Sequence, residues 1–215
     1  MTPAAVSTTV NIPADHAHLP GDLALPQVAR GIVLFAHGSG SSRLSPRNTY
    51  VARVLNQAGI ATLLFDLLTP AEDRDYEMRF DIELLTERLL AAAAWAKTDA
   101  RTQALKLGFF GASTGAAAAL QAAAQLGDRV SAVVSRGGRP DLAGETALGK
   151  VSAPTLLIVG GYDNMVIGLN REAYALLNCE KELTIIPGAS HLFEEPGTLE
   201  QAAKAAASWF GRHLG

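Results

Sequence analysis

The chain has 215 residues, of which 48% are hydrophobic, enough for one sizeable core, and residues 1–215 read as a single domain. A formal net charge of −3 gives no electrostatic case for a nucleic acid or an anionic membrane surface as partner. No apolar run approaches the roughly 18 residues of a membrane span, residues 1–14 lack the basic and apolar regions of a secretion signal, and the one cysteine, Cys179, excludes an intrachain disulfide, so the expectation is a cytoplasmic protein.

Short alternating stretches at 7–12 and 22–26, around Pro13, Pro20 and Gly21, predict an antiparallel hairpin on a sheet edge. Residues 31–36 form a continuous apolar run, the pattern of a buried parallel strand. A loop at 37–45 follows, then a helix at 46–58 with Val51, Val54 and Leu55 on one face and Gly59 as its stop. A strand is expected at 61–68, a charged loop at 69–79, and a long amphipathic helix at 80–97 with Ile82, Leu85, Leu89 and Leu90 inward. Strands follow at 105–110, 130–135, 154–159 and 182–186, and helices at 116–125, 169–177 and 199–213, with a Gly-rich loop at 136–150. This alternation predicts an α/β fold: a mostly parallel sheet, helices on both faces, and an N-terminal antiparallel hairpin. In such sheets function gathers at the carboxyl ends of the strands.

One stretch there stands out, Gly111-Ala112-Ser113-Thr114-Gly115, between a strand and an alanine-rich helix. A serine between two glycines at such a turn has the spacing of a nucleophile elbow. The turn forces a cramped backbone at Ser113, and the chain must pass so close at 111 and 115 that a Cβ would collide. A serine hydroxyl near neutral pH needs a base, and the base needs a group to orient it. After Ser113, Asp163 lies just past one strand end and His191 just past the next, in the order Ser, acid, His. Taken singly, Asp163 would read as a helix-capping turn residue and His191 as a turn histidine; together they read as a triad. The helix starting beside Ser113 places free N–H groups where an oxyanion would form. The backbone N–H of Thr114 is one expected donor, and that of Ser39, in His37-Gly38-Ser39-Gly40, is the other, with Gly40 as the alternate.

These segments, with Ala36-His37-Gly38-Ser39-Gly40, Gly160-Gly161-Tyr162-Asp163 and Gly188-Ala189-Ser190-His191, resemble the α/β-hydrolase superfamily, close to the dienelactone-hydrolase-like esterases, over nearly the whole chain. The resemblance implies a minimal α/β-hydrolase fold without a sizeable cap domain, and acyl transfer to water without a cofactor. Dienelactone hydrolases proper use a cysteine nucleophile; Ser113 stands there in this chain, which favours a serine triad acting on small-molecule carboxylic esters.

A second reading is a Rossmann-type binding protein. Gly38-Ser39-Gly40-Ser41-Ser42-Arg43 is one residue short of a dinucleotide fingerprint, and Asp66 ends the next strand where a ribose-binding acid belongs. Arg43 in place of the third glycine argues against it, as do the residues it leaves unexplained. A third is a hydrolase fold that binds without catalysis. No His, Cys and carboxylate group has metal-ligand spacing, so no metal is expected. Four arginines, Arg43, Arg47, Arg136 and Arg139, lie in loops at the active end. Arg136 could read a substrate carboxylate or phosphate through its guanidinium fork. The reading the sequence favours is that these arginines pair with Glu72, Asp73, Asp75 or Glu77 of the charged loop.

Overall fold

The structure, a computed structural model, describes residues 5–215. Val6–Ala14 (β1) and Ala17–Leu25 (β2) pair antiparallel along their whole length around a turn at Asp15 and His16, where Asp15 takes φ 49°. Pro13 and Pro20 lie inside these strands, not in the turn. Pro13 sits on the outer strand, where a missing N–H costs no ladder bond to a further neighbour. Pro20 falls one residue before the pairing of β2 with the next strand inward begins at Gly21.

Gly31–Ala36 (β3), Ala61–Phe65 (β4), Lys106–Ala112 (β5), Val130–Arg136 (β6), Thr155–Gly160 (β7) and Lys181–Ile186 (β8) complete an eight-stranded sheet in the order β1-β2-β4-β3-β5-β6-β7-β8. The pairs from β4 to β8 are all parallel, and β2 joins β4 antiparallel. The apolar run of β3 divides its side chains between two layers. Ile32, Leu34 and Ala36 enter one core cluster, and Val33 and Phe35 the other. That is the two-residue period of a strand covered on both faces.

Helices Ile82–Thr98 (α2) and Thr114–Leu126 (α3) cover the first face, while Pro46–Gln57 (α1) and Thr198–Leu214 (α6) cover the second. Alanine dominates α3, and Ala116, Ala117, Ala118 and Ala119 are fully buried. Small side chains let this helix lie close on the sheet, and alanine forms helix with no rotamer entropy to lose. Glu145–Lys150 (α4) and Asn164–Leu176 (α5) follow β6 and β7. The helix expected at 169–177 thus starts five residues earlier, directly after Asp163. Among the described residues, no helix is long and apolar enough to cross a membrane.

Candidate active site

Ser113 alone separates β5 from α3. Its φ of 51° and ψ of −122° are a backbone state costing on the order of 1–3 kcal/mol for a residue other than glycine. The next strand's exit holds it there: Ser113 N–H donates to Arg136 O at 3.4 Å, and Ser113 O accepts from Arg139 N–H at 3.0 Å. The flanking glycines are required by contact. A Cβ at Gly111 would lie 2.4 Å from Ala116 Cα, and one at Gly115 would lie 2.1 Å from Ala36 O. Although Ser113 occupies the N-cap position of α3, its side chain makes no capping hydrogen bond. The hydroxyl is therefore left available at the positive end of the helix.

Asp163 likewise stands at the N-cap of α5 and makes no capping bond with its side chain. Its Oδ2 lies 2.6 Å from His191 Nδ1 instead. With Nδ1–H donating to the carboxylate, Nε2 is left as the acceptor. The Asp163 side chain is 13% exposed and that of His191 40%, so the acid is shielded and the ring reaches solvent. The His191 loop lies hard against the end of β7, where a Cβ at Gly160 would come within 2.5 Å of Ala189 O. Ser190 N–H donates to Glu195 Oε2 at 2.9 Å, which fixes the loop from its far side. Ser113 and His191 line one cavity of about 250 Å³, together with Gly38, Ser39, Asn48 and Arg136, without a hydrogen bond between the two.

The loop after β3 is anchored at both ends. His37 is buried, its Nε2 accepts from Leu67 N–H at 3.0 Å, and Nδ1 therefore carries the proton and donates to Gly38 O at 3.0 Å. Burial pushes the His37 pKa below its ordinary value, which keeps the ring neutral. At the other end Arg43 N–H donates to Asp66 Oδ1 at 2.8 Å, while its guanidinium bridges Asp66 and Asp22. The acid that a dinucleotide ribose would need is thus neutralised by the residue standing where the third glycine would be.

Ser39 N–H, expected as the second oxyanion donor, donates to Thr114 Oγ1 at 3.0 Å. The Thr114 hydroxyl thus occupies the backbone donor expected of the loop after β3. For Ser39 N–H to reach a substrate oxygen, the Thr114 hydroxyl must turn away. Gly40, the alternate, has φ 67° and lines a separate small pocket with Leu68, Asp73 and Arg79, outside the Ser113 cavity.

The expected pairing of the four arginines with the charged loop does not occur. Arg43 takes Asp22 and Asp66, Arg47 approaches Glu194 at 3.6 Å, and Arg139 takes Asp141. Two acids of the charged loop are bound by other arginines, Glu72 by Arg88 of α2 and Asp73 by the loop's own Arg79. Arg136 pairs with no carboxylate among the described residues. Its Nη2 donates to Asn48 Oδ1 at 3.3 Å, and its guanidinium lies 5.6 Å from the centre of the Phe193 ring.

The profile of the Dienelactone hydrolase family matches residues 26–214. The chain belongs to the dienelactone hydrolase family. The crystal structure of a dienelactone hydrolase from Anabaena variabilis is similar over 99% of this chain and 100% of that one, with 55% identity and a TM-score of 0.96. The esterase domain of a Rhodothermus marinus protein shares the fold at 20% identity and a TM-score of 0.79, over 98% of this chain and 100% of that one. Two Mycobacterium tuberculosis proteins named as phosphoribosyl transferases are each 59% identical over 205 residues, 95% of this chain and 46% of theirs. The chain spans about half the length of these curated relatives.

On this dienelactone hydrolase scaffold, sequence reasoning missed several supporting residues. Asn48, on the first turn of α1, and Asn170, on α5, are both buried. Asn170 Nδ2 donates to Gly138 O at 3.0 Å and so fixes the loop that grips Ser113. An asparagine within a helical run was the available signal, since a buried amide needs a partner. Among the described residues, no three His, Cys, Asp or Glu side chains gather to hold a metal ion.

Proposed function

We propose that this member of the dienelactone hydrolase family hydrolyses carboxylic esters of small or accessible acyl groups through an acyl-enzyme on Ser113. The observation that carries the reading is the 2.6 Å contact between Asp163 and His191, made beside a strained serine whose hydroxyl caps nothing. In this scheme His191 Nε2 takes the Ser113 proton as Oγ attacks the ester carbonyl. The first hydrogen bond between them forms as substrate closes the gap. Asp163 holds the ring and stabilises the imidazolium. The tetrahedral oxygen sits between Thr114 N–H and Ser39 N–H, the latter released by the Thr114 hydroxyl. The alcohol leaves with the proton from His191, and water, deprotonated by the same ring, cleaves the acyl-enzyme.

A cavity of about 250 Å³ lies below the usual 300–1,000 Å³ of drug-sized sites, which supports a small acyl group. The name carried by the Mycobacterium tuberculosis relatives belongs to proteins about twice this length, and the groups around Ser113 support hydrolysis. The test is a chain-length series of 4-nitrophenyl esters with wild type and Ser113→Ala, with mass spectrometry of the quenched enzyme. Short esters are expected to turn over and to leave an acyl adduct on Ser113. Equal rates in Ser113→Ala would overturn the mechanism, and failure of wild type on every ester would favour a fold that binds without catalysis.

A further inference from the structure

We propose that the free edge of β1 pairs with the same edge of a second copy of this chain, antiparallel about a twofold axis at Thr9, so that two eight-stranded sheets become one. The inference is independent of the hydrolase reading above.

The two ends of the sheet differ. β8 closes one end with six residues, and Lys181 and Glu182 put charges on it. Shortness and charge are the usual protection of an edge strand. β1 closes the other end with nine residues, none of them charged. Val6, Thr8, Thr9, Val10 and Ile12 are β-branched, which suits a strand. Val6, Ser7, Thr8, Thr9 and Asn11 are exposed, Val6 at 70%. A long, uncharged edge of this kind is a template for another strand.

The hairpin decides which backbone groups of β1 are unused. Its last pair, Ala14 with Ala17, closes a two-residue turn and so exchanges both hydrogen bonds. Counting back in twos, Ile12, Val10, Thr8 and Val6 bond to β2, while Ser7, Thr9 and Asn11 turn N–H and C=O outward. Pro20, opposite Asn11, obeys the same alternation: its carbonyl accepts from Asp66 N–H on the β4 side, away from β1. Pro13 is the next outward residue and has no N–H to give, so pairing stops there. The usable segment is residues 6–12, and its middle is Thr9. Turned about Thr9, this segment is self-complementary. Val6 falls opposite Ile12, Ser7 opposite Asn11, Thr8 opposite Val10, and Thr9 opposite its own copy. No like charges meet, and the β-branched pairs share one face. Ile12 and Val10 belong to the edge of the first core layer, so the partner's exposed Val6 and Thr8 would extend an existing apolar face. On the second face a groove of about 680 Å³ between α1 and the hairpin runs out to this edge at Ser7, where the partner's Asn11 would close it.

The experiment combines sedimentation equilibrium with register-specific cross-linking. Wild type is expected to form a reversible dimer at concentrations up to about 1 mM. Thr9→Pro removes the central outward N–H from each copy while costing the monomer no ladder bond. Thr8→Lys sets a charge opposite the partner's Val10. Each should raise the dissociation constant about 10- to 100-fold and leave the far-ultraviolet spectrum near wild type. For cross-linking, Cys179→Ser removes the native thiol. In that background Thr9→Cys should oxidise to a disulfide-linked dimer, because hydrogen-bonded partners have Cα atoms about 5.5 Å apart, within disulfide range. Ser7→Cys should not, because in this register the two copies of residue 7 stand about 14 Å apart. A monomer at every concentration overturns the proposal. So does a dimer whose dissociation constant is unchanged in both Thr9→Pro and Thr8→Lys, which would place the contact elsewhere. Cross-linking of Ser7→Cys in preference to Thr9→Cys overturns it too. If Thr9→Pro does not fold, Thr8→Lys and the two cysteine variants decide the matter by the same criteria.

Discussion

Replacing Gly115 by alanine sets two calculable effects against each other. Gly115 is the second residue of α3, and on propensity alone alanine would stabilise a helix there by up to about 1 kcal/mol. The contact geometry opposes this. The new Cβ would stand 2.1 Å from Ala36 O and 2.6 Å from both Ala36 C and His37 O. A carbon normally approaches a carbonyl oxygen no closer than about 3.3 Å, so β3 and α3 must part by roughly 1.2 Å. All the offending atoms are backbone, so no side-chain rotation relieves the clash. The Ser39 N–H to Thr114 Oγ1 bond spans the same gap, and with it the two proposed oxyanion donors would move apart. A displacement of about 1 Å in a catalytic geometry costs about 10²-fold in rate, and overpacking costs about 1–3 kcal/mol or more. Urea unfolding and ester hydrolysis should therefore both report loss in Gly115→Ala. Gly168 is the control, since it lies inside α5 with nothing within 4 Å of a built Cβ. Gly168→Ala should gain about 0.5–1 kcal/mol and keep its activity. A Gly115→Ala protein as stable and active as wild type would refute the reasoning.

Asp163→Asn should lower ester turnover by about 10⁴ while leaving the far-ultraviolet spectrum and unfolding midpoint near wild type; a loss below tenfold would detach the acid from the mechanism. His37 gives a pH effect on stability. Its folded pKa is lowered by burial, so the unfolded state binds the proton first as pH falls. The stabilisation is fully present above about pH 6.5 and is lost below it, by at most ~1.4 kcal/mol per pH unit. His37→Gln should show a shallower fall in urea-unfolding free energy between pH 7.5 and 5.5, and parallel curves for the two proteins would remove His37 as the cause.

Residues that act through local pattern were legible in the sequence. The apolar run of β3 gave its bounds directly, and Ser113, Asp163 and His191 could be singled out as candidates because each follows a strand end. The hairpin was legible, but its strands were drawn too short because Pro13 and Pro20, which carry a turn signal, lie inside them, Pro13 on the outer strand and Pro20 just before the pairing of β2 with β4 begins. The early start of α5 was missed because Asp163 reads as a loop residue, while its backbone opens the helix and its side chain leaves for His191. What sequence could not show are contacts between distant positions. Ser39 meets Thr114 across 75 residues, and Arg136 meets Asn48 across 88. The preference for pairing the cavity arginines with the charged loop failed for the same reason, because Arg79 and Arg88 reach those acids first.

Arg136 touches Ser113 with its main chain and the cavity with its side chain. The hydrogen bond from Ser113 N–H falls on the Arg136 carbonyl, a group that every amino acid possesses. A codon change at 136 can therefore redraw the chemistry of the cavity wall while the grip on Ser113 persists. Selection can act on the cavity wall there one residue at a time, without first passing through an ancestor whose Ser113 has slipped.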